Sequence, residues 1–286
     1  MARRAACGNG PRLTAGDLAA LNVVTAGVGA GFVFQHGLCG DAAQPAEIFP
    51  DEVPYRLMTL ECRGHGRSGA GDPAAFSIAR FADDVAAMIE AQAKAPVVVG
   101  GISMGAAIAL RLAVWRPELV RGLVLVRPAW LIEAAPSNMR AYAEVGALLS
   151  SLPPKEALAS FDRSETAAWL SREGPANLTS LRGFFSREPV AVTTALLTRI
   201  SRDGPGVTPE EVGRLRIPAL VIGQALDPLH PLHYAEKLAA MIAGAHFGKV
   251  TPKADNPAQH IAECREALRG FLISLAPAGE RLPRPR

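Results

Sequence analysis

Gly101-Ile-Ser-Met-Gly105 stands between a β-branched apolar run, Pro96-Val-Val-Val-Gly100, and an apolar helical stretch over 105–115 that Pro117 stops. A serine between two glycines, where a strand reverses into a helix, has a mechanical reason. The turn is so sharp that its central residue takes a strained backbone conformation and pushes its side chain into the open. The flanking positions must be tiny, because neighbouring backbone passes close by. Ser103 then sits at a helix N-terminus, where amide N–H groups and the helix dipole favour negative charge. That environment suits attack by the hydroxyl on a carbonyl carbon. The plainer alternative is a serine helix cap in a glycine-rich turn, and the strand before and apolar helix after favour the nucleophile.

A serine hydroxyl is a poor nucleophile without a base, and the base needs a partner to orient it. Asp227 lies just past the apolar run 218–223, at the carboxyl edge where open parallel sheets gather their sites. His260 follows the 245–250 run and precedes the closing helix. Other histidines fit less well. His246 falls on or beside a predicted strand, and His65 belongs to the turn Arg63-Gly-His-Gly-Arg-Ser68. His230 and His233 follow Asp227 closely, which suits shaping that loop, but they come too early in the chain. Asp255 shares the loop of His260 instead of an adjacent strand end. The expected catalytic set is therefore Ser103 as nucleophile, His260 as base and Asp227 as acid.

With the motif 101–105 and the order Ser103…Asp227…His260, the chain resembles the α/β-hydrolase superfamily, of the serine esterase/lactonase type with a helical cap. The resemblance covers about residues 20–275. It implies an oxyanion hole built from the backbone N–H groups of Leu38, just after His36-Gly37, and Met104, just after the nucleophile. It also implies that His36 packs or hydrogen-bonds beneath the site, and it makes Glu133 the second choice of acid, since some relatives carry the carboxylate there. One departure concerns the base. Many relatives place it within a few residues of the last strand, often as Gly-His, whereas here Thr251-Pro-Lys-Ala-Asp-Asn-Pro-Ala-Gln259 intervenes. The implied activity is hydrolysis of small or medium carboxylic esters or lactones, including enol-lactones, through an acyl-enzyme. The same residues would serve C–C bond hydrolysis of a diketone or perhydrolysis, and hydrolase-like plant hormone receptors keep such a pocket with slow turnover or none. No cofactor is implied.

The elements that must carry these residues alternate. Strand-like runs at 32–35, 55–60, 96–100 and 119–126 enclose helical periodicity at 78–91 and 105–115. This rhythm predicts the α/β-hydrolase architecture, a mostly parallel sheet with helices on both faces and an all-helical insertion. Residues 1–127 form the first part of the core, 128–216 the helical cap with segments at 139–152, 155–161, 165–170, 181–185 and 190–201, and 217–286 the second part with a short basic tail. Trp130, Met139, Tyr142 and Trp169 are candidates to line a substrate pocket. Taken singly, each of these cap residues fits the cap's own core better than a pocket wall.

The whole chain sets bounds on partners. It has 286 residues, 49% hydrophobic and 20% charged, enough apolar material for a substantial core. Thirty Lys+Arg against 27 Asp+Glu give a net charge of +3 spread along the chain, no footprint for nucleic acid. Cys7, Cys39, Cys62 and Cys264 are far apart, so neither a disulfide framework nor a structural metal site is expected. The start lacks the apolar segment of a secretory signal, and no run approaches a membrane span. The expectation is a soluble, cytoplasmic protein acting on a small molecule, with its oligomeric state left open. Gly27-Val-Gly-Ala-Gly31 precedes a strand instead of joining strand to helix, so it fails as a dinucleotide fingerprint.

Overall fold

Residues 20–276 are described in the computed structural model; Cys7, the start of the chain and the basic tail at 281–286 lie outside them. The β-branched and aromatic runs pair into one sheet of seven strands: β1 (Val23–Gly27), β2 (Ala30–Gln35), β3 (Tyr55–Leu60), β4 (Val97–Ile102), β5 (Val120–Val126), β6 (Ala219–Gln224) and β7 (His246–Val250). Their spatial order is β1-β3-β2-β4-β5-β6-β7, with β1 antiparallel to β3 and every other pairing parallel. This is the α/β-hydrolase architecture.

Strands covered on both faces read as unbroken apolar runs, and β4 shows why. Val97 and Val99 face one core layer and Val98 the other, all three at most 1% exposed. Helices α2 (Ile78–Gln92), α3 (Met104–Trp115) and α10 (Leu232–Met241) cover the first face. Helices α1 (Ala43–Ile48) and α11 (Pro257–Ser274) cover the second, where Leu268 and Phe271 meet Phe32, Phe34 and Val124. Each such side chain contributes about 2 kcal/mol of burial. Among the described residues, no helix is long and apolar enough to cross a membrane.

Between β5 and β6 the described chain contains helices and turns but no strand: α4 (Arg140–Ser151), α5 (Pro154–Phe161), α6 (Glu165–Glu173), α7 (Pro175–Gly183), α8 (Val190–Ile200) and α9 (Pro209–Gly213). Specific polar contacts tie this insertion to the sheet domain. Arg111 Nη1 donates to Pro205 O at 3.0 Å, and Arg187 Nη2 donates to Gly64 O at 2.7 Å.

Three differences from the sequence reading matter. Strand β1 and helix α1 are additions to it; β1 is half exposed and α1 has no side-chain cap, so neither carries the usual signals. The helix expected at 181–185 divides: 181–183 end α7, which starts at Pro175, and Phe184–Ser186 form a 3-10 turn. Most consequentially, α11 starts at Pro257 and not at 261, because the Asn256 side chain accepts from Gln259 N and Pro257 occupies the first helical position.

Candidate active site

At the carboxyl edge of the sheet the backbone is forced into unusual conformations, one strand after another. Cys39, Ser103, Arg127 and Leu226, which follow β2, β4, β5 and β6, are four of the six non-glycine residues with positive φ among the described residues. Such conformations persist only where the surroundings over-determine them. At Ser103 (φ 56°, ψ −110°) the cause is visible. A Cβ on Gly101 would lie 2.1 Å from the Gly105 carbonyl carbon, and one on Gly105 would lie 2.4 Å from Gln35 O. Both obstacles are backbone, so the reversal from β4 into α3 closes only with glycine at each position.

The imidazole that meets Ser103 belongs to His230. Its Nε2 lies 2.8 Å from Ser103 Oγ, and its Nδ1 lies 2.9 Å from Asp227 Oδ1. All three side chains are buried. Asp227 and His230 share one tight turn, closed by His230 N donating to Asp227 O at 3.0 Å. A carboxylate can only accept, so Nδ1 must carry its proton toward Asp227 and Nε2 offers its lone pair to the serine hydroxyl.

The expectation for His260 is corrected here. The earlier start of α11 carries His260 into the helix, with Nδ1 3.0 Å from Thr251 O and Nε2 3.7 Å from Cys264 Sγ. Neither ring nitrogen bonds Ser103 or Asp227. Chain order argues against His230, which comes so soon after Asp227, yet Asp227-Pro-Leu-His-Pro231 carries the proline punctuation of a tight turn, which brings residues three apart face to face. Asn256-Pro257 likewise signals the helix start that removes His260 from the site.

Asp227 is held by more than its histidine. Oδ1 also accepts from Asn177 Nδ2 at 2.9 Å, and Oδ2 accepts from Gln224 Nε2 at 2.8 Å and from Arg127 Nε at 2.9 Å. Burial opposes its charge, but the His230 and Arg127 contacts outweigh burial and hold the carboxyl well below the usual carboxylate range. For His230, burial is the largest influence and lowers its proton affinity; Asp227 opposes this, and Arg127, whose Nη2 lies 3.2 Å from Nδ1, adds to it. The resting imidazole is therefore neutral at pH 7, as a base must be. Arg127, Asn177 and Gln224 all escape a reading of the sequence, since each acts by where it packs. Glu133 is exposed, and Arg127 follows directly on β5.

The turn at 36–39 abuts the nucleophile, since a Cβ on Gly37 would be 3.5 Å from Ser103 Cβ. Two buried imidazoles brace it. His36 Nε2 accepts from Cys62 N and His65 Nε2 accepts from Cys39 N, both at 3.0 Å. The amides of Leu38 and Met104 make no hydrogen bond within the described chain, which leaves two N–H donors free beside Ser103.

The pocket candidates separate. Trp130 is buried, with Nε1 donating to Asp203 O at 2.8 Å; Met139 is buried at the start of α4; Trp169 on α6 is 38% exposed. Tyr142 is 8% exposed and packs on Phe184, with ring centroids 6.1 Å apart.

Comparison with known proteins agrees with this geometry at the level of fold. Residues 31–267 match the family model described as Alpha/beta hydrolase family. Lipase LipV of Mycobacterium tuberculosis is 37% identical over 127 residues, 43% of this chain and 44% of that protein, so the match spans less than half of this curated relative. The enol-lactonase of Burkholderia xenovorans superposes with a TM-score of 0.62 at 21% identity, covering 89% of this chain and 94% of that one. A thermophilic esterase from Thermogutta terrifontis superposes with a TM-score of 0.66 at 21% identity, covering 88% and 93%.

Proposed function

The chain belongs to the alpha/beta hydrolase family, and on that premise we propose that it is a serine hydrolase cleaving carboxylic esters or lactones through an acyl-enzyme. The observation that carries this reading is the continuous line from Ser103 Oγ through the His230 imidazole to the Asp227 carboxylate, at 2.8 and 2.9 Å. A pure binder has no need of a neutral imidazole held against a strained serine.

His230 Nε2 takes the Ser103 proton as Oγ bonds to the substrate carbonyl carbon, whose electron pair moves onto the carbonyl oxygen. The Leu38 and Met104 amides stabilise that oxyanion; each such donor is worth about 3 kcal/mol. Collapse breaks the bond to the alcohol oxygen, which takes the proton from His230. Water then attacks the acyl-enzyme by the same steps and releases the acid. Asp227 holds the tautomer and supports the transient imidazolium, while Arg127, Gln224 and Asn177 keep Asp227 ionised and in place. Residues 128–216 act as the cap, and Asn177 brings it into direct contact with the acid.

The test is turnover of short-chain 4-nitrophenyl esters by the wild type and by Ser103→Ala, with mass spectrometry after treatment with a fluorophosphonate. The reading expects turnover abolished by the substitution and one adduct, on Ser103. Equal turnover by both proteins would overturn it.

A further inference from the structure

The start of α4 is anchored on the Asp227–His230 turn. Asn138 Nδ2, in the turn that leads into this helix, donates to Leu229 O at 2.9 Å and to Ala129 O at 2.9 Å. Tyr142 lies four residues on, in the first turn of α4. Its hydroxyl lies within electrostatic range of Asp227, Arg127 and Cys39, which belong to three different strand-end loops around Ser103.

Buried tyrosine hydroxyls ordinarily find a partner, because leaving one unpaired costs stability. Tyr142 is 8% exposed and its hydroxyl makes no hydrogen bond within the described chain. Nor is it sealed away, for the sealed side-chain polar atoms without a partner among the described residues are Gln35 Nε2 and Thr194 Oγ1. A phenol that is enclosed, unpartnered and still reachable is a donor kept for something that enters. We propose that the Tyr142 hydroxyl reads the substrate by donating a hydrogen bond to an oxygen carried outside the scissile ester group, which makes oxygen-substituted esters or lactones the preferred class.

Burial pushes the phenol up from its ordinary value and the Asp227 charge pushes it the same way, so it keeps the proton it must donate at neutral pH. A site built around such a donor discriminates against a shape-matched substrate lacking the acceptor, because the donor is then left buried and unpaired.

The inference rests on the serine-hydrolase reading for turnover but can also be tested without it. Two isosteric pairs serve: 4-nitrophenyl methoxyacetate against butyrate for the acyl side, and 2-methoxyethyl against butyl acetate for the alcohol side. The readout is the ratio of kcat/KM within each pair, compared between the wild type and Tyr142→Phe, so that intrinsic ester reactivity cancels. Phenylalanine keeps the ring packed on Phe184. A neutral hydrogen bond predicts that the ratio falls about fivefold to tenfold in one pair. A ratio unchanged in both pairs overturns the proposal, as does an equal loss on both members. The same ratios, read as dissociation constants by calorimetry on Ser103→Ala with and without Tyr142→Phe, need no catalysis. A shift there supports the role of Tyr142 even if the hydrolase reading fails, and no shift defeats it.

Discussion

Asp227 and His230 face each other across a single turn, with the carboxylate 2.9 Å from the imidazole and the His230 amide 3.0 Å from the Asp227 carbonyl. The carboxylate and the imidazole are therefore carried by one unit. Ser103 has to be brought to that unit from another strand, and the register of β4 against β5 and β5 against β6 sets the distance. What would ordinarily need three strand ends needs two here.

In the proposed mechanism Arg127 tunes the base. Its guanidinium lies against both Asp227 and His230, and its charge disfavours the imidazolium. The charged groups that act on the ring are Asp227 on its own turn and Arg127 after β5. Removing a neighbouring cation raises a histidine's proton affinity. Arg127→Gln should move the acid limb of the kcat/KM profile to higher pH, by about one unit, and Arg127→Lys should restore part of the shift. A limb that stays put would leave Arg127 a structural role only.

Most of the fold and two of the three members of the proposed catalytic line are legible in the sequence, for identifiable reasons. Ser103 can be read because its glycines, strand and helix are all local consequences of one reversal. Asp227 can be read because it ends an apolar run. His260 misleads when chain order is weighed above local capping, although Asn256-Pro257 already places it inside a helix. Arg127, Asn177 and Gln224 are not readable, since their roles depend on distances between segments that only the folded sheet brings together.

The two glycines of the reversal should be intolerant of any side chain. Gly105→Ala puts a methyl group 2.4 Å from Gln35 O and should cost about 3 kcal/mol of stability or prevent folding. Gly183, at the end of α7, has nothing within 4 Å of where a methyl group would sit, so Gly183→Ala should stabilise by up to about 1 kcal/mol. Thermal melts of the two variants check both signs, and equal melting temperatures would contradict the close-approach explanation.

Acid should weaken the protein before its carboxylates titrate. His36, His65, His230 and His260 are all held below their ordinary value, with burial the largest cause in each. Their folded-state values are depressed, so the unfolded chain binds more protons and the stability they contribute is lost as pH falls below about 6.5. Each contributes a slope of up to about 1.4 kcal/mol per pH unit in that window. Melting temperatures between pH 8 and pH 5 should fall with decreasing pH, and a flat profile would contradict the burial of these rings in their neutral form.

The most direct measurement compares kcat/KM for a 4-nitrophenyl ester in His230→Ala and His260→Gln, with circular dichroism confirming that both fold. His230 as the base predicts a loss of about 10³-fold or more in the first variant and a change within about threefold in the second. Retained activity in His230→Ala, with loss in His260→Gln, would contradict it and return the base to the start of α11.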